Sequence, residues 1–144
     1  MKVQTSRFGV LEIDDAKIIT MTQPFLGFPD SNRFILQPHG PESPCMWMQS
    51  LDEPGLAFVV IPPATIHYQY RPELPKYVKD ELQADESSTL DTLVILTIPR
   101  DDPSAVTANL LGPVVINVNK RLAKQVLLDP LKYDCCWPIG SKAA

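Results

Sequence analysis

The side chains that could perform chemistry are few in this sequence, and their spacing matches no familiar catalytic or metal-binding pattern. His39 and His67 lie in separate predicted loops, outside any His-x-x-x-His or Cys-x-x-Cys spacing. The three cysteines are Cys45, Cys135 and Cys136, and two adjacent cysteines are poorly placed for an ordinary disulfide or a shared metal. We therefore expect reduced thiols, no bound metal and no cofactor.

Acidic residues occur in two adjacent pairs, Asp14-Asp15 and Asp101-Asp102. Both pairs fall between predicted strands, where aspartate satisfies local backbone N–H groups, so we interpret them as turns. The sequence also lacks a glycine-rich phosphate loop, a Gly-x-Ser-x-Gly motif and a Rossmann fingerprint. We name no catalytic residue and predict that the protein is not an enzyme.

The composition favours a single domain with a protein partner. The chain has 144 residues, a formal net charge of -4 and a pI near 5.1. We interpret residues 1–144 as one domain whose ordered core spans about 2–137. Net acidity argues against direct binding of nucleic acid and suits a basic protein partner. Because the sequence contains neither a run of about eighteen apolar residues nor a secretory signal at its start, we expect a cytoplasmic protein without membrane contact.

Three apolar runs organise the predicted fold. They cover residues 92–98, 109–118 and 123–128. Each run is about strand length, is rich in β-branched residues and is bounded by Pro, Asn or Asp, which favours strands over helices. We predict three adjacent antiparallel strands here. The 15 prolines remove backbone donors, so the rest of the fold should also consist of short strands.

Further strands are predicted within residues 2–13, 17–21, 34–37, 45–51 and 56–61. The sequence Asp52-Glu53-Pro54-Gly55 predicts a type II turn with a positive φ at Gly55. One helix is predicted near residues 75–84, where apolar side chains fall on one side at helical spacing. These side chains are Leu74, Tyr77, Val78 and Leu82.

The segment 23–30 carries Phe25, Leu26 and Phe28 among prolines and a glycine. We expect it to plug an apolar end of the fold, or else to present an apolar patch to a partner. Residues 140–144 should fray. Together these elements predict a mainly β fold, a compact antiparallel β-barrel-like single domain with one short helix.

Several motifs, spread from Thr5 to Tyr133, carry a resemblance to a known family. The most specific is Thr107-Ala108-Asn109-Leu110-Leu111-Gly112-Pro113-Val114-Val115-Ile116-Asn117. The others include Arg7-Phe8-Gly9, Gly27-Phe28, Trp47-Met48-Gln49-Ser50 and Lys124-Gln125-Val126-Leu127-Leu128. In this order and spacing they resemble the FliW family, the bacterial flagellar assembly factors.

The resemblance implies two protein partners, flagellin and CsrA. FliW-like proteins bind and protect flagellin in the cytoplasm, and CsrA is a small RNA-binding dimer that represses flagellin translation. In the family's partner switch, free FliW sequesters CsrA once flagellin has been exported. Accumulating flagellin then takes FliW away, and repression returns. The resemblance therefore implies a flagellin-binding factor that antagonises CsrA.

Gln49 and Asp52 are polar groups beside apolar strands and are our first candidates for partner contacts. Phe8, Asn109 and Asn117 are further candidates. An aromatic side chain at such a position more often belongs to the core, and asparagine there more often caps a turn.

Two other classes of function stay open at this point. A small-molecule-binding β-barrel is the alternative, because closed β structures can enclose a pocket, and a filled interior would argue against it. An enzyme would require the fold to gather scattered ionisable groups, such as acids with shifted pKa values around His67.

Overall fold

The described residues, 1–67 and 69–139, form eleven β-strands and one α-helix in this computed structural model. The strands are β1 (Lys2–Thr5), β2 (Gly9–Glu12), β3 (Ile19–Met21), β4 (Arg33–Pro38), β5 (Met46–Ser50), β6 (Ala57–Ile61), β7 (Leu90–Thr97), β8 (Thr107–Ala108), β9 (Val114–Asn117), β10 (Leu122–Gln125) and β11 (Trp137–Pro138). The helix α1 (Lys76–Glu81) lies between β6 and β7 in the chain. The prediction of a mainly β fold with one short helix is confirmed.

Seven of the strands close into a barrel in the order β3-β4-β5-β6-β7-β9-β10, and β10 returns to β3. All neighbours in this ring are antiparallel except β10 and β3, which are parallel, with Ala123 opposite Met21. A closed ring with an odd number of strands must contain a parallel interface, because strand direction cannot alternate all the way round. The predicted barrel is confirmed, with this one exception to its antiparallel pairing.

The three apolar runs that organise the predicted fold are β7, β9 and β10, paired as predicted. Leu93 of β7 lies opposite Val114 of β9, and Ile116 of β9 lies opposite Ala123 of β10. Every residue of β9 is buried. This follows from its position, because β9 faces the barrel interior on one side and packs with its Val115 against α1 on the other.

Apolar side chains fill the barrel interior. The cluster comprises Ile19, Met21, Phe25, Phe34, Met48, Val60, Leu93, Val114, Ile116 and Ala123. Phe25 comes from the segment 23–30, and its ring centroid lies 5.4 Å from that of Phe34 and 4.9 Å from that of Phe58. The predicted plug is therefore confirmed for Phe25 and for Phe28, which packs against this cluster. It is wrong for Leu26, which is 90% exposed.

The outside of the barrel is covered in patches by three segments. The β1–β2 hairpin places Val3 and Ile13 against Ile35 and Leu51. The C-terminal segment pairs β11 with β8, so that Trp137 lies opposite Ala108. The third segment is α1. Residues 140–144, which we predicted to fray, lie outside the described residues.

The helix α1 is shorter than predicted and is turned differently from the prediction. Val78 and Leu82 are fully buried, as their spacing indicated, but Tyr77 is 58% exposed. A polar contact on the rim fixes the helix to the barrel, because the Glu81 carboxylate lies 3.0 Å from Nζ of Lys124 and accepts a 2.6 Å hydrogen bond from Thr22. The helical stretch is limited to fewer than two turns because it begins after Pro75 and is followed by Gln83 in a left-handed conformation.

The turn at residues 52–55 has the predicted position but not the predicted type. The N–H of Leu56 donates to the Glu53 carbonyl at 3.0 Å, which closes a turn with Pro54 and Gly55 at its centre. Among the described glycines, those with a positive φ are Gly9 and Gly27, and Gly55 is not one of them. A type II turn requires a positive φ at the third position, so that prediction is wrong.

Candidate partner-binding surface

Gln49 lies on the outward face of β5, yet the structure buries it completely. Its Nε2 is 2.9 Å from the Ser50 carbonyl and 3.2 Å from the carbonyls of Pro54 and Leu56. These contacts hold the β5–β6 turn against the strand that precedes it. Our prediction that Gln49 contacts a partner is corrected, because burial removes its side chain from the surface.

Asp52 joins the β5–β6 turn to β4. Its Oδ2 accepts hydrogen bonds from the N–H groups of Asn32 and Arg33 at 2.8 and 2.9 Å. Its Oδ1 accepts from Nε and Nη2 of Arg33 at 3.1 and 2.8 Å. Burial by itself raises the pKa of Asp52, but the hydrogen bonds and the charge of Arg33 outweigh burial and leave the pKa below its ordinary value. The carboxylate is thus engaged within the fold, and a partner contact at Asp52 stays a prediction.

The two asparagines cap turns. Oδ1 of Asn109 accepts from the N–H groups of Leu111 and Gly112 at 3.1 and 2.9 Å. Asn117 is fully buried and donates from Nδ2 to the carbonyl of Leu82 at 2.8 Å, which ties the end of α1 to the barrel. The predicted partner contact of Asn117 is therefore corrected. Asn109 is half-buried, and its contact stays a prediction.

Phe8 belongs to a group of four side chains that we call the Trp47 surface, formed by Arg7, Phe8, His39 and Trp47. The guanidinium carbon of Arg7 lies 3.9 Å from the centroid of the Trp47 ring. His39 stacks with the same indole at 5.3 Å between centroids, and Phe8 meets it edge-on at 6.4 Å. Phe8 and Trp47 are half-buried, whereas Arg7 and His39 are exposed.

Three separate segments build the Trp47 surface. Trp47 lies on β5, opposite Gln37 of β4 and Val59 of β6, so its ring stands on a rigid sheet. The β1–β2 turn contributes Arg7 and Phe8, and the chain after β4 contributes His39. The outward position of Trp47 follows from strand alternation, because its neighbour Met48 points into the barrel. The alternation in the sequence is the signal for that position, whereas the positions of Arg7 and His39 carry no such signal.

A small cleft borders the Trp47 surface at Arg7. It has a volume of about 190 Å³ and is lined by Ser6, Arg7, Gln49, Pro54, Gly55 and Ala57. Arg7 therefore lies between the exposed indole and a concave feature between two turns. Aromatic and arginine side chains are enriched where proteins bind one another, and a pocket beside them can accept a partner's side chain.

The outer strand of the hairpin, β2, adds a hydrogen-bonding edge next to the same turn. Among the described strands it pairs only with β1. Reciprocal hydrogen bonds between Met1 and Ile13 set the pattern of the ladder. Because antiparallel pairs alternate, the N–H and C=O of Val10 point away from β1. The Val10 side chain is 61% exposed. This edge can accept an extended segment as an additional strand.

The structure also shows the surroundings of His67 and the barrel interior, on which the enzyme and the ligand-binding alternatives depend. His67 lies in an aromatic cluster, with its ring 4.8 Å from Trp137 and 6.3 Å from Tyr70. Burial and then the neighbouring Tyr133 raise the pKa of Tyr70, and its hydroxyl donates to the Leu110 carbonyl. Tyr70 therefore stays protonated and acts in packing. The filled barrel interior argues against the small-molecule alternative.

Within residues 1–67 and 69–139, no group of three or more His, Cys, Asp or Glu side chains is arranged to hold a metal ion. None of the helices in this part of the chain is long and apolar enough to span a membrane.

Comparison with known proteins gives a consistent answer. The sequence profile described as FliW protein matches residues 2–139. The flagellar assembly factor FliW of Syntrophus aciditrophicus is 40% identical over 138 residues, covering 93% of this chain and 87% of that protein. The protein of the same name from Magnetococcus marinus is 40% identical over 131 residues, covering 88% of this chain and 78% of that protein.

A solved structure agrees with the barrel described above. A crystal structure of the flagellar assembly factor FliW matches with a TM-score of 0.89 and 32% identity, and the match covers 100% of both chains. The resemblance noted in the sequence thus extends from single motifs to the whole fold. The chain belongs to the FliW family.

Proposed function

We propose that this protein acts in flagellar assembly by binding flagellin in the cytoplasm and by binding and antagonising the translational regulator CsrA. Membership of the FliW family, over residues 2–139, is the observation that carries this proposal. By relieving repression of flagellin synthesis when it is free, and releasing CsrA when flagellin accumulates, the protein couples synthesis to export.

The Trp47 surface supports a binding role, and we propose it as the contact site. A half-exposed tryptophan held on a strand of a closed barrel loses little conformational freedom when a partner covers it. Arg7 and His39 already cover part of the ring, so the indole is arranged before binding. We place the contact with a protein partner here, with Phe8 at its margin.

Charge and backbone geometry support the two partners in different ways. The net charge of -4 favours a basic partner such as an RNA-binding regulator, mainly by speeding association. The free edge of β2 suits an extended segment of a partner, and Val10 lies on that edge. Arg7 and Phe8 of the Trp47 surface directly precede β2 in the chain, so one partner can reach both this surface and the β2 edge.

The first experiment is a calorimetric titration of the protein into CsrA from the same organism, with and without flagellin bound beforehand. Binding to CsrA that flagellin abolishes is the expected result, since the two partners then compete for one protein. Binding to flagellin alone would reduce the proposal to a flagellin chaperone. Absence of binding to both would overturn it.

A pair of variants tests the location. Trp47→Ala should weaken binding of at least one partner by roughly 30-fold or more, because large aromatic side chains at the centre of interfaces contribute about 2 kcal/mol or more. Tyr77→Ala is the matched control, since Tyr77 is an exposed aromatic residue on α1, away from the Trp47 surface. Equal effects of the two substitutions, or no effect of Trp47→Ala, would remove the contact from this surface.

A further inference from the structure

The two adjacent cysteines, Cys135 and Cys136, lie in the turn that precedes β11. Both side chains are exposed and both thiols are free. Their Sγ atoms are 3.5 Å apart, so the side chains point in the same direction although neighbouring side chains on a strand would point apart. We expected adjacent cysteines to be poorly placed for an ordinary disulfide or a shared metal, but the turn brings the two sulfur atoms close together.

The turn is anchored on both sides. On the N-terminal side, the carbonyl of Asp134 accepts from the N–H of Leu110 at 3.0 Å. On the C-terminal side, Trp137 pairs with Ala108 in the β8–β11 ladder. Within the turn, the N–H of Cys136 donates to Oδ1 of Asp134 at 2.8 Å. These contacts hold the two thiols side by side rather than leaving them on a loose tail.

A direct disulfide between these thiols fits the turn poorly. The sulfur atoms would have to approach from 3.5 Å to about 2.05 Å, and adjacent Cα atoms are closer together than in ordinary disulfides. A single atom bonded to both sulfurs needs no such approach. With bonds of about 2.3 Å, as for sulfur on zinc, the present separation corresponds to an angle of about 100° at the bridging atom.

The number of available ligands decides which bridging atom is suitable. Structural zinc takes four ligands, and among residues 1–67 and 69–139 no group of three His, Cys, Asp or Glu side chains is arranged to hold a metal. Trivalent arsenic that already carries one organic group needs only two thiolates. Beside Cys135 lies an open cleft of about 400 Å³, lined in part by Leu111, Leu131 and Tyr133, where an organic group can lie.

We propose that Cys135 and Cys136 form a dithiol site that binds trivalent organoarsenicals through both sulfur atoms. With phenylarsine oxide, two arsenic–sulfur bonds form and the arsenic–oxygen bond breaks. The two thiol protons leave with the oxygen as one water molecule. Arsenic stays trivalent and the sulfurs are not oxidised, so the reaction requires no oxidant.

The charge around the turn predicts how the rate depends on pH. Contact with Cys135 is the main cause that raises the pKa of Cys136, and the Asp134 carboxylate adds to it. The thiolate of Cys136 is therefore scarce near neutral pH. The rate of arsenical binding should increase as the pH rises.

The test measures thiols by their reaction with Ellman's reagent, before and after one equivalent of phenylarsine oxide is added to the folded protein. The unfolded native chain should give three reactive thiols without the arsenical and one with it, and the mass should increase by one phenylarsenic group. A dithiol competitor should restore all the thiols at concentrations at which a monothiol does not. An unchanged thiol count would overturn the proposal. So would loss of two thiols without added mass, because that result indicates a disulfide.

Serine variants give the matched comparison. Cys135→Ser and Cys136→Ser should each weaken binding by on the order of 100-fold or more. Each variant leaves only one thiol in the turn, so the arsenic can no longer bind two neighbouring sulfur atoms. Cys45→Ser should bind as the native protein does, since Cys45 is half-buried against apolar side chains and lies outside the exposed turn that carries the two thiols. Thermal unfolding checks that each variant is folded. Tight binding by Cys136→Ser, or its loss in Cys45→Ser, would contradict the assignment.

Discussion

Two neighbouring regions on the outward face of β5, one polar and one aromatic, are close together in the sequence and differ in the structure. One is the β5–β6 turn. There Gln49 donates to backbone carbonyls of the turn, and Asp52 accepts hydrogen bonds from the Arg33 guanidinium. The other is the Trp47 surface, where an indole stays half-exposed beside Arg7 and His39. The polar groups of the turn are engaged within the fold except for the buried Oε1 of Gln49, which has no hydrogen-bond partner among the described residues, whereas the indole is only partly covered. A side chain is therefore available to a partner when contacts within the fold leave part of it uncovered, whether the side chain is polar or apolar.

The physical reason lies in the cost of breaking existing contacts. A partner that binds Asp52 must replace hydrogen bonds already made to a charged group, each with a net contribution of about 1.5 to 3 kcal/mol. A partner that covers Trp47 displaces only water from part of the ring, which is favourable at about 25 cal/mol per Å² of apolar surface. Substitutions in the two regions should therefore differ in their effects on stability.

Asp52→Ala should have the largest effect. We expect the free energy of unfolding to fall by about 3 kcal/mol, because the N–H groups of Asn32 and Arg33 and the Arg33 guanidinium lose their acceptor. Urea unfolding followed by tryptophan fluorescence measures the change. Asp30→Ala, at an exposed acid in the preceding loop, is the control and should change stability little. Equal losses in both variants would mean that Asp52 has no special structural role.

Gln49→Leu should cost about 1 to 2 kcal/mol of stability. The substitution keeps the side chain's approximate size but removes the donor to the carbonyls of Pro54 and Leu56. The loss is moderate because each carbonyl keeps a second donor, from Ser6 and Ser50 respectively. The same unfolding assay applies. A variant that is as stable as the native protein but loses partner binding would return Gln49 to the list of contact residues.

Acidification should remove part of the stability of the β5–β6 turn. The pKa of Asp52 is lowered in the folded state, so its contribution is complete above the ordinary value of 3.8 and is lost as the pH falls below it. Unfolding midpoints measured from pH 7 to pH 2.5 should therefore fall less steeply in Asp52→Asn than in the native protein. Parallel curves for the two proteins would contradict this assignment.

Arg7→Ala should have the smallest effect on stability, about 0.5 kcal/mol, because a cation over an exposed aromatic ring contributes little. Its effect on partner binding should be much larger, since Arg7 lies between the Trp47 ring and the neighbouring cleft. Thermal unfolding and calorimetric titration are measured on the same preparation. Arg7→Lys is the conservative control. If stability and binding change by the same amount, the contrast between the two regions fails.

Much of the fold could be predicted because its patterns are local. Most of the run at 92–98 lies in β7, the run at 109–118 contains β9, and the run at 123–128 overlaps β10, which begins at Leu122; the three strands pair as expected. The local pattern was not sufficient to predict burial for Tyr77 and Leu26. Spacing and hydrophobicity assigned both side chains to the interior, but both are exposed in the structure. A local pattern gives the period of an element, but the neighbours that cover each face are set elsewhere in the chain.

The candidate site was predictable only in part for the same reason. Phe8 was named from the sequence as a contact candidate and lies in the Trp47 surface. Arg7 and His39 were not named as contacts, because they reach Trp47 only when the β1–β2 turn and the chain after β4 meet β5. Gln49 and Asn117 were named as contacts and are buried, because turns and α1 cover them. Burial depends on long-range packing, so it could not be predicted from the polarity of residues along the chain.

The sequence by itself determined the strand periodicity, the alternation that places Trp47 and Met48 on opposite faces of β5 and the position of the β5–β6 turn. The tertiary structure decided the parallel closure of β10 on β3, the burial of Gln49, the assembly of the Trp47 surface and the convergence of the two thiols at Cys135 and Cys136. The former follow from steric and hydrophobic preferences within a few residues. The latter depend on the geometry in which distant segments or an anchored turn come together, and only the closed barrel sets that geometry.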